Sequence, residues 1–239
     1  LERFTRLLFL RERQLDRERE RSDSLLLNVL PRVIIDRLKR ESDGGHVAEA
    51  LDEVSVMFAD AVGSTEQAAR GTPEEFASAL DELFRRFDAV ADRYGLEKIK
   101  TIGDAYMAAG GAPVSMANHA EAVAEAALDM LAEAGECRWP SGEPVVIRIG
   151  AATGPAVAGV IGQRKFAYDL WGDTVNLASR LEAHGEPGRV LVAESMAERL
   201  EDRFEFSPPQ VIDIKGKGMT PVRFLIGRLS EIPASTARS

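Results

Sequence analysis

The first sustained apolar run after residue 50, Val54-Ser55-Val56-Met57-Phe58-Ala59, stops on a charge, Asp60. Its length and its β-branched and aromatic content predict a strand over Glu53–Asp60. Apolar residues then switch to helical spacing at Phe76, Leu80, Leu83, Phe84 and Phe87, the buried stripe of an amphipathic helix. Thr72-Pro73-Glu74-Glu75 starts that helix, with Thr72 as N-cap, Pro73 at the first position and Glu75 closing a capping box. Gly95 ends it. Leu96–Ile102 and Ala105–Ala109 read as a hairpin around Gly103-Asp104. An alanine-rich helix is expected near Met116–Ala134. The longest apolar stretch, Val145–Gly162, contains Arg148, Pro155 and several glycines. It reads as two strands, Val145–Ala152 and Ala156–Ile161, joined by a turn, and not as a membrane span. Thr174–Ala183 reads as a short helix, and Val190–Val192, Val211–Ile214 and Val222–Ile226 as short strands. The class is α+β, with helices to one side of a mostly antiparallel sheet. The leading order β-α-β-β-α-β fits a ferredoxin-like core, with a C-terminal extension after it and an N-terminal helix before it.

Residues 1–44 have a different texture. Arg and Glu dominate up to Asp23, and their alternating signs suit a solvent-exposed helix. A heptad seam can be drawn through Phe4, Leu8, Leu15, Leu25 and Val29, but Arg11, Glu18 and Ser22 fall in the same seam, so a paired coil and a single solvated helix both remain open. Pro31 breaks this helix and can occupy the first position of a second one carrying Val33, Ile34 and Leu38. The polar, glycine-containing Ser42–Gly45 marks a boundary. The organisation expected is a helical segment over 1–44, a folded domain over 45–230 and a flexible tail over 231–239.

Composition narrows the function. The net charge of -9 over 239 residues argues against a nucleic-acid partner, which needs a basic face. The single cysteine, Cys137, rules out an internal disulfide and fits a reducing compartment. His46, His119 and His184 have no metal-ligand spacing and read as surface or packing residues. No signal peptide or membrane span is evident, and the chain starts at Leu1, which reads as a fragment of a longer protein.

Asp60 and Asp104 each close a strand-like run. Two carboxylates at adjacent strand ends can hold two divalent cations about 4 Å apart, a common arrangement for in-line phosphoryl displacement. Taken alone, Asp104 in a Gly-Asp pair is also an ordinary turn residue. Four segments carry the reading further: F-A-D-A-V-G-S-T (58–65), E-K-I-K-T-I-G-D-A-Y-M (97–107), Y-D-L-W-G-D-T-V-N-L-A-S-R-L-E (168–182) and D-I-K-G-K-G (213–218). Together, over roughly residues 50–228, they resemble the catalytic domain of class III nucleotidyl cyclases.

That resemblance implies a role for each matching residue. Asp60, the backbone carbonyl of Ala61, and Asp104 would bind two divalent cations, Mg²⁺ or Mn²⁺. Lys100 and Asp169 would read the purine. Lysine donates to N1 of adenine and aspartate accepts from its N6 amino group, whereas guanylyl cyclases typically carry glutamate and cysteine there. Asn176 would orient the ribose and Arg180 would stabilise charge on the α-phosphate. Gly63, Ser64 and Thr65 would meet phosphate oxygens at a helix start, although Ser64 could equally be only an N-cap. Lys215 would contact the triphosphate, with Lys217 close enough to take its place. Ala151 and Ala152 depart from the family, which often has a bulky residue and a histidine there. Pro155 stands where one half of some paired enzymes has a phosphate-contacting arginine.

The implied activity is conversion of ATP to 3′,5′-cyclic AMP and pyrophosphate. The alternatives are a guanylyl cyclase, or an inactive cyclase-like domain serving regulation or dimerisation. Family active sites lie between two catalytic domains, so a chain with one such domain and every element implies a homodimer. The resemblance further implies a cytoplasmic catalytic domain, one compatible with a membrane anchor or sensor domain upstream of this chain.

Overall fold

The structure is a computed structural model and describes residues 11, 13, 14, 17, 30–40, 48–161 and 166–229. The heptad positions Phe4, Leu8, Leu15, Leu25 and Val29, the Ser42–Gly45 boundary and the 231–239 tail lie outside the described residues. The chain divides into two compact units, residues 1–49 with 159–169, and residues 50–158 with 170–239.

In the first unit, helix α1 spans Arg32–Arg40. The Pro31 carbonyl accepts from the backbone N–H of Ile34 at 2.9 Å and of Ile35 at 3.1 Å. Proline therefore sits one residue before the helix and closes its first turn through the oxygen it still has. The buried pair is Ile34 and Ile35. The expected stripe omitted Ile35, and Val33 and Leu38 are only half-buried. Arg37 pairs with Glu49 at the start of β1 (Ala48–Ala61).

The second unit holds most of the sheet. After β1 come helix α2 (Ser64–Ala68), helix α3 (Pro73–Tyr94), β2 (Glu97–Ile102), β3 (Ala105–Gly110) and helix α4 (His119–Glu136). β4 (Ile147–Ile161), β5 (Ala167–Trp171), helix α5 (Asp173–His184), β6 (Val190–Ala193), helix α6 (Glu194–Leu200), β7 (Phe204–Phe206), β8 (Gln210–Ile214) and β9 (Gly218–Arg228) complete the order. The strands lie in the order β2-β3-β1-β4-β6-β9-β7, with β5 paired to β4 and β8 to β9. The first four strands, β2-β3-β1-β4, with α3 and α4 as crossovers, form the expected ferredoxin-like arrangement. β1 and β2 both run antiparallel to β3, while β4 and β6 are parallel.

The capping box forms as read: Thr72 Oγ1 accepts from Glu75 N–H at 3.2 Å, and Thr72 N–H donates to Glu75 Oε2 at 2.9 Å. Gly95 ends α3 at φ 66°, a left-handed turn that costs glycine nothing. Leu83, Phe87 and Val90 from α3 and Ala126, Ala127 and Met130 from α4 pack with Met57, Ala59, Tyr106, Ile147 and Ile149 of the sheet. Small side chains on α4 let the helix approach closely. Met196, Ala197, Leu200 and Phe204 extend the same core.

Three expectations need correction. β4 is one continuous strand, not two joined by a turn. Neither Gly150 nor Gly154 adopts positive φ, and Pro155 is exposed, so the missing N–H costs no buried bond. β1 extends back to Ala48, because its first six residues, Ala-Glu-Ala-Leu-Asp-Glu, are almost all exposed and carry no apolar alternation to announce a strand. β5, α6 and β7 were not foreseen. Each is too short to show a period; β5 is fixed by pairing with β4, and α6 and β7 by burial against the common core.

Candidate active site

β1 and β3 set the centre of the site. Asp60 lies across from Ala105 in their register, so Asp104, one residue earlier, stands at the neighbouring strand end. Gly103 makes the β2–β3 turn at φ 64°, presenting Asp104 at its tip. Burial first, and the adjacent Asp104 carboxylate second, push the Asp60 carboxyl above its ordinary range, while Arg148 pulls it back. Ala61, buried, ends β1 beside Asp60.

Gly63 is the N-cap of α2, at φ 72°. Ser64 is therefore the first helical residue and not the cap, which removes that alternative. Its side chain is buried and its hydroxyl donates to Asp104 Oδ2. Gly63 and Thr65 are exposed.

Two charged groups at this site were not assigned from sequence. Arg148, on β4, donates from Nη2 to Asp60 Oδ2 at 3.0 Å and from Nε to Glu182 Oε1 at 2.5 Å. The side chains of Asp60 and Glu182 are only 17% and 12% exposed. Burial raises the Glu182 carboxyl, as do the nearby Asp60 and Asp104 charges, against Arg148. The clue in the sequence was Arg148 itself, a charge inside the most apolar stretch of the chain, which requires a buried partner.

Helix α5 approaches β4 at Gly150, where an added Cβ would fall 2.0 Å from the Glu182 nitrogen and 2.5 Å from the Ala178 oxygen. Thr174 Oγ1 donates to the Pro155 carbonyl at 2.7 Å, pinning the start of the same helix. Asn176 and Arg180 share a face, but Arg180 and Glu182 are about 200° apart around the axis. Glu182 turns toward its own chain's aspartates, and Asn176 and Arg180 lie on another face. Asn176 is exposed, and neither side chain has a hydrogen bond or ion pair among the described residues.

The β8–β9 turn meets α5. A Cβ on Gly216 would come 3.4 Å from Arg180 Nη1, so the guanidinium lies over this turn. Lys217 forms an ion pair with Asp173 at the start of α5. Lys215 is exposed and has no ion pair among the described residues. Lys100 is half-buried on β2 opposite Met107, just past a register shift. Asp169 is half-buried on β5 in the other unit.

The donor set suits hard divalent cations. Asp60 and Asp104 bring two carboxylates together at partial burial, an excess of negative charge that a cation relieves. No group of three His, Cys, Asp or Glu side chains able to hold a metal occurs among the described residues. Mg²⁺ needs fewer, because it keeps water and takes substrate phosphate oxygens as ligands.

Residues 46–227 match the adenylate and guanylate cyclase catalytic domain model. An adenylate cyclase of Mycobacterium tuberculosis is 45% identical over 217 residues, covering 91% of this chain and 49% of that protein. The chain thus spans about half the length of that relative. The β-2 subunit of the soluble guanylate cyclase of Rattus norvegicus is 38% identical over 216 residues, covering 89% of this chain and 31% of that one. Among solved structures, the guanylate cyclase domain of RhGC from Catenaria anguillulae, in complex with GTP, superposes with a TM-score of 0.73 at 33% identity, covering 75% of this chain and 99% of that one.

Proposed function

The chain belongs to the family of adenylate and guanylate cyclase catalytic domains, and from that premise we propose that it converts ATP to 3′,5′-cyclic AMP and pyrophosphate at two sites shared across a homodimer. The observation that carries this reading is the placement of α5: Glu182 faces its own Asp60 while Asn176 and Arg180 face elsewhere. This placement supports a reading in which a second copy brings its Arg180 to the metal-bearing pair of aspartates.

Asp60, the Ala61 carbonyl and Asp104 would hold two divalent cations. When bound, these supply charge that acidifies the ribose 3′-hydroxyl and screens the triphosphate. The partner's α5 presents Asn176 to the ribose, fixing the 3′-oxygen in line with the α-phosphorus. Arg180 donates to the α-phosphate oxygens as negative charge builds on them, a preorganised contact of the kind worth about 3 kcal/mol. Lys215 binds the triphosphate and accompanies pyrophosphate as it leaves. Lys100 donates to adenine N1, and Asp169 accepts from N6. Guanine offers a donor and an acceptor in the opposite places, so both groups would stay unpaired against GTP.

Initial rates with ATP and with GTP, in Mg²⁺ and in Mn²⁺, across a range of protein concentration, test this reading. Preference for ATP and a rate rising with the square of dilute protein are expected. A GTP preference defeats the base assignment, and a rate linear down to the lowest concentration defeats the shared site.

A further inference from the structure

Each of the two aspartates is already engaged through its Oδ2 oxygen. Asp104 accepts from the neutral Ser64 hydroxyl, and Asp60 accepts from the Arg148 guanidinium. The guanidinium is also held through Nε by Glu182, at 2.5 Å, and Glu182 rides on α5 where that helix closes tightly over Gly150. We infer that Arg148 is a resident counter-cation for the metal site: it occupies Asp60 when no metal is bound, and it holds the intrinsic metal affinity down. The inference rests on the proposed metal role of Asp60 and Asp104.

Asp60, Asp104 and Glu182 bring three negative charges and Arg148 one positive, leaving the cluster near minus two, half-buried. A divalent cation arriving at Asp60 meets a guanidinium on the same carboxylate. In a half-buried site, where screening is weak, that like-charge contact opposes the ion's arrival, and the ion's double charge doubles the repulsion. The cost is offset when the ion arrives with phosphate oxygens, which bring their own negative charge. Metal without nucleotide is then disfavoured, and metal with nucleotide is accepted. Glu182 moderates the effect, because it shares the guanidinium and keeps it from closing fully on Asp60.

This makes opposite predictions for two residues in one ion pair. A purely structural clamp, broken from either side, would weaken metal binding in both cases. A counter-cation gives opposite signs. Mn²⁺ binding to the nucleotide-free protein, followed by the paramagnetic resonance of unbound Mn²⁺, reads this without any turnover. Arg148→Gln should tighten Mn²⁺ by roughly tenfold or more, and Glu182→Gln should weaken it. Arg148→Lys, which keeps the charge, should stay close to the unmodified protein. Arg148→Met, which keeps the aliphatic stem, serves the same arm if the glutamine variant does not fold. Weaker or unchanged Mn²⁺ binding in the uncharged Arg148 variants overturns the inference. Asp104→Asn separates that failure from failure of the metal site: if it leaves Mn²⁺ binding untouched, the ion is not held where the proposed function needs it, and the inference falls with it.

Discussion

At the scale of single residues, the structure separates groups the sequence left equivalent. Lys215 and Lys217 flank Gly216 and match the family lysine almost equally well, but Lys217 is tied to Asp173 and Lys215 is exposed. Lys215→Ala should therefore raise KM for ATP by about tenfold, the scale of a lost charged hydrogen bond, while Lys217→Ala should change it by less than about threefold. Steady-state kinetics on both variants decide the assignment. His119 is buried and packs in the core. Its Nδ1 lies 2.8 Å from Ser55 Oγ, which lies 2.6 Å from Thr153 Oγ1, all at the buried junction of β1, β4 and α4. Burial holds His119 below the usual imidazole range, against the opposing pull of Glu53. The fold thus accepts the neutral ring, and the unfolded chain protonates first as pH falls. The contribution of His119 to stability is complete above about pH 6.5 and is lost on the acid side of that value. Glu97 acts in the other direction: burial, and then Asp92, raise its carboxyl to about 7, so its contribution is greatest in acid and is lost as pH rises through 7. Thermal melts across this range should show His119→Gln losing less stability in acid than the unmodified protein. Glu97→Gln should gain stability above neutrality. Parallel curves for variant and parent would contradict either assignment.

At the scale of elements, Gly150 is where β4 and α5 touch. A methyl group there would collide with the backbone of α5, not with a side chain that could turn away. Gly150→Ala should cost about 3 kcal/mol or more, at the severe end for a core substitution, and urea unfolding would measure it. A loss below about 1 kcal/mol would mean that α5 can slide along β4. Elements of this kind explain what was legible in advance. The strands and helices with a strong period, such as α3 with its Thr72 box and Phe76-to-Phe87 stripe, could be read because local chemistry and burial agree there. The continuity of β4 through Gly154-Pro155 could not, since both residues favour a turn locally and only the pairing of the strand overrides them. Helix α6 and β7 left no trace for the same reason, each too short for its pattern to outweigh its context. Asp60 and Asp104 were visible because they end apolar runs. Arg148 was visible as a charge in the wrong place, but its partners Asp60 and Glu182 are 88 and 34 residues away, beyond what local spacing reports.

At the scale of the whole molecule, the proposed function calls for a second copy. Within one chain, α5 directs Glu182 toward the aspartates and carries Asn176 and Arg180 on another face, and on the proposed reading one chain would supply halves of two different sites. If so, damage to the two halves should be complementary. Asp104→Ala removes a metal ligand and Arg180→Ala removes transition-state charge, and each chain alone should be inactive. In a mixture at equal concentration, random pairing makes about half of the dimers mixed. Each mixed dimer holds one site with both halves intact and one with both damaged. Roughly a quarter of the parent activity should return, after time for subunits to exchange. A self-contained site predicts a different result, because no mixture of two defective chains then holds an intact one. Activity no greater than the sum of the separate variants, under conditions where sedimentation shows mixed dimers, would place the whole reaction within a single chain and remove the need for the partner.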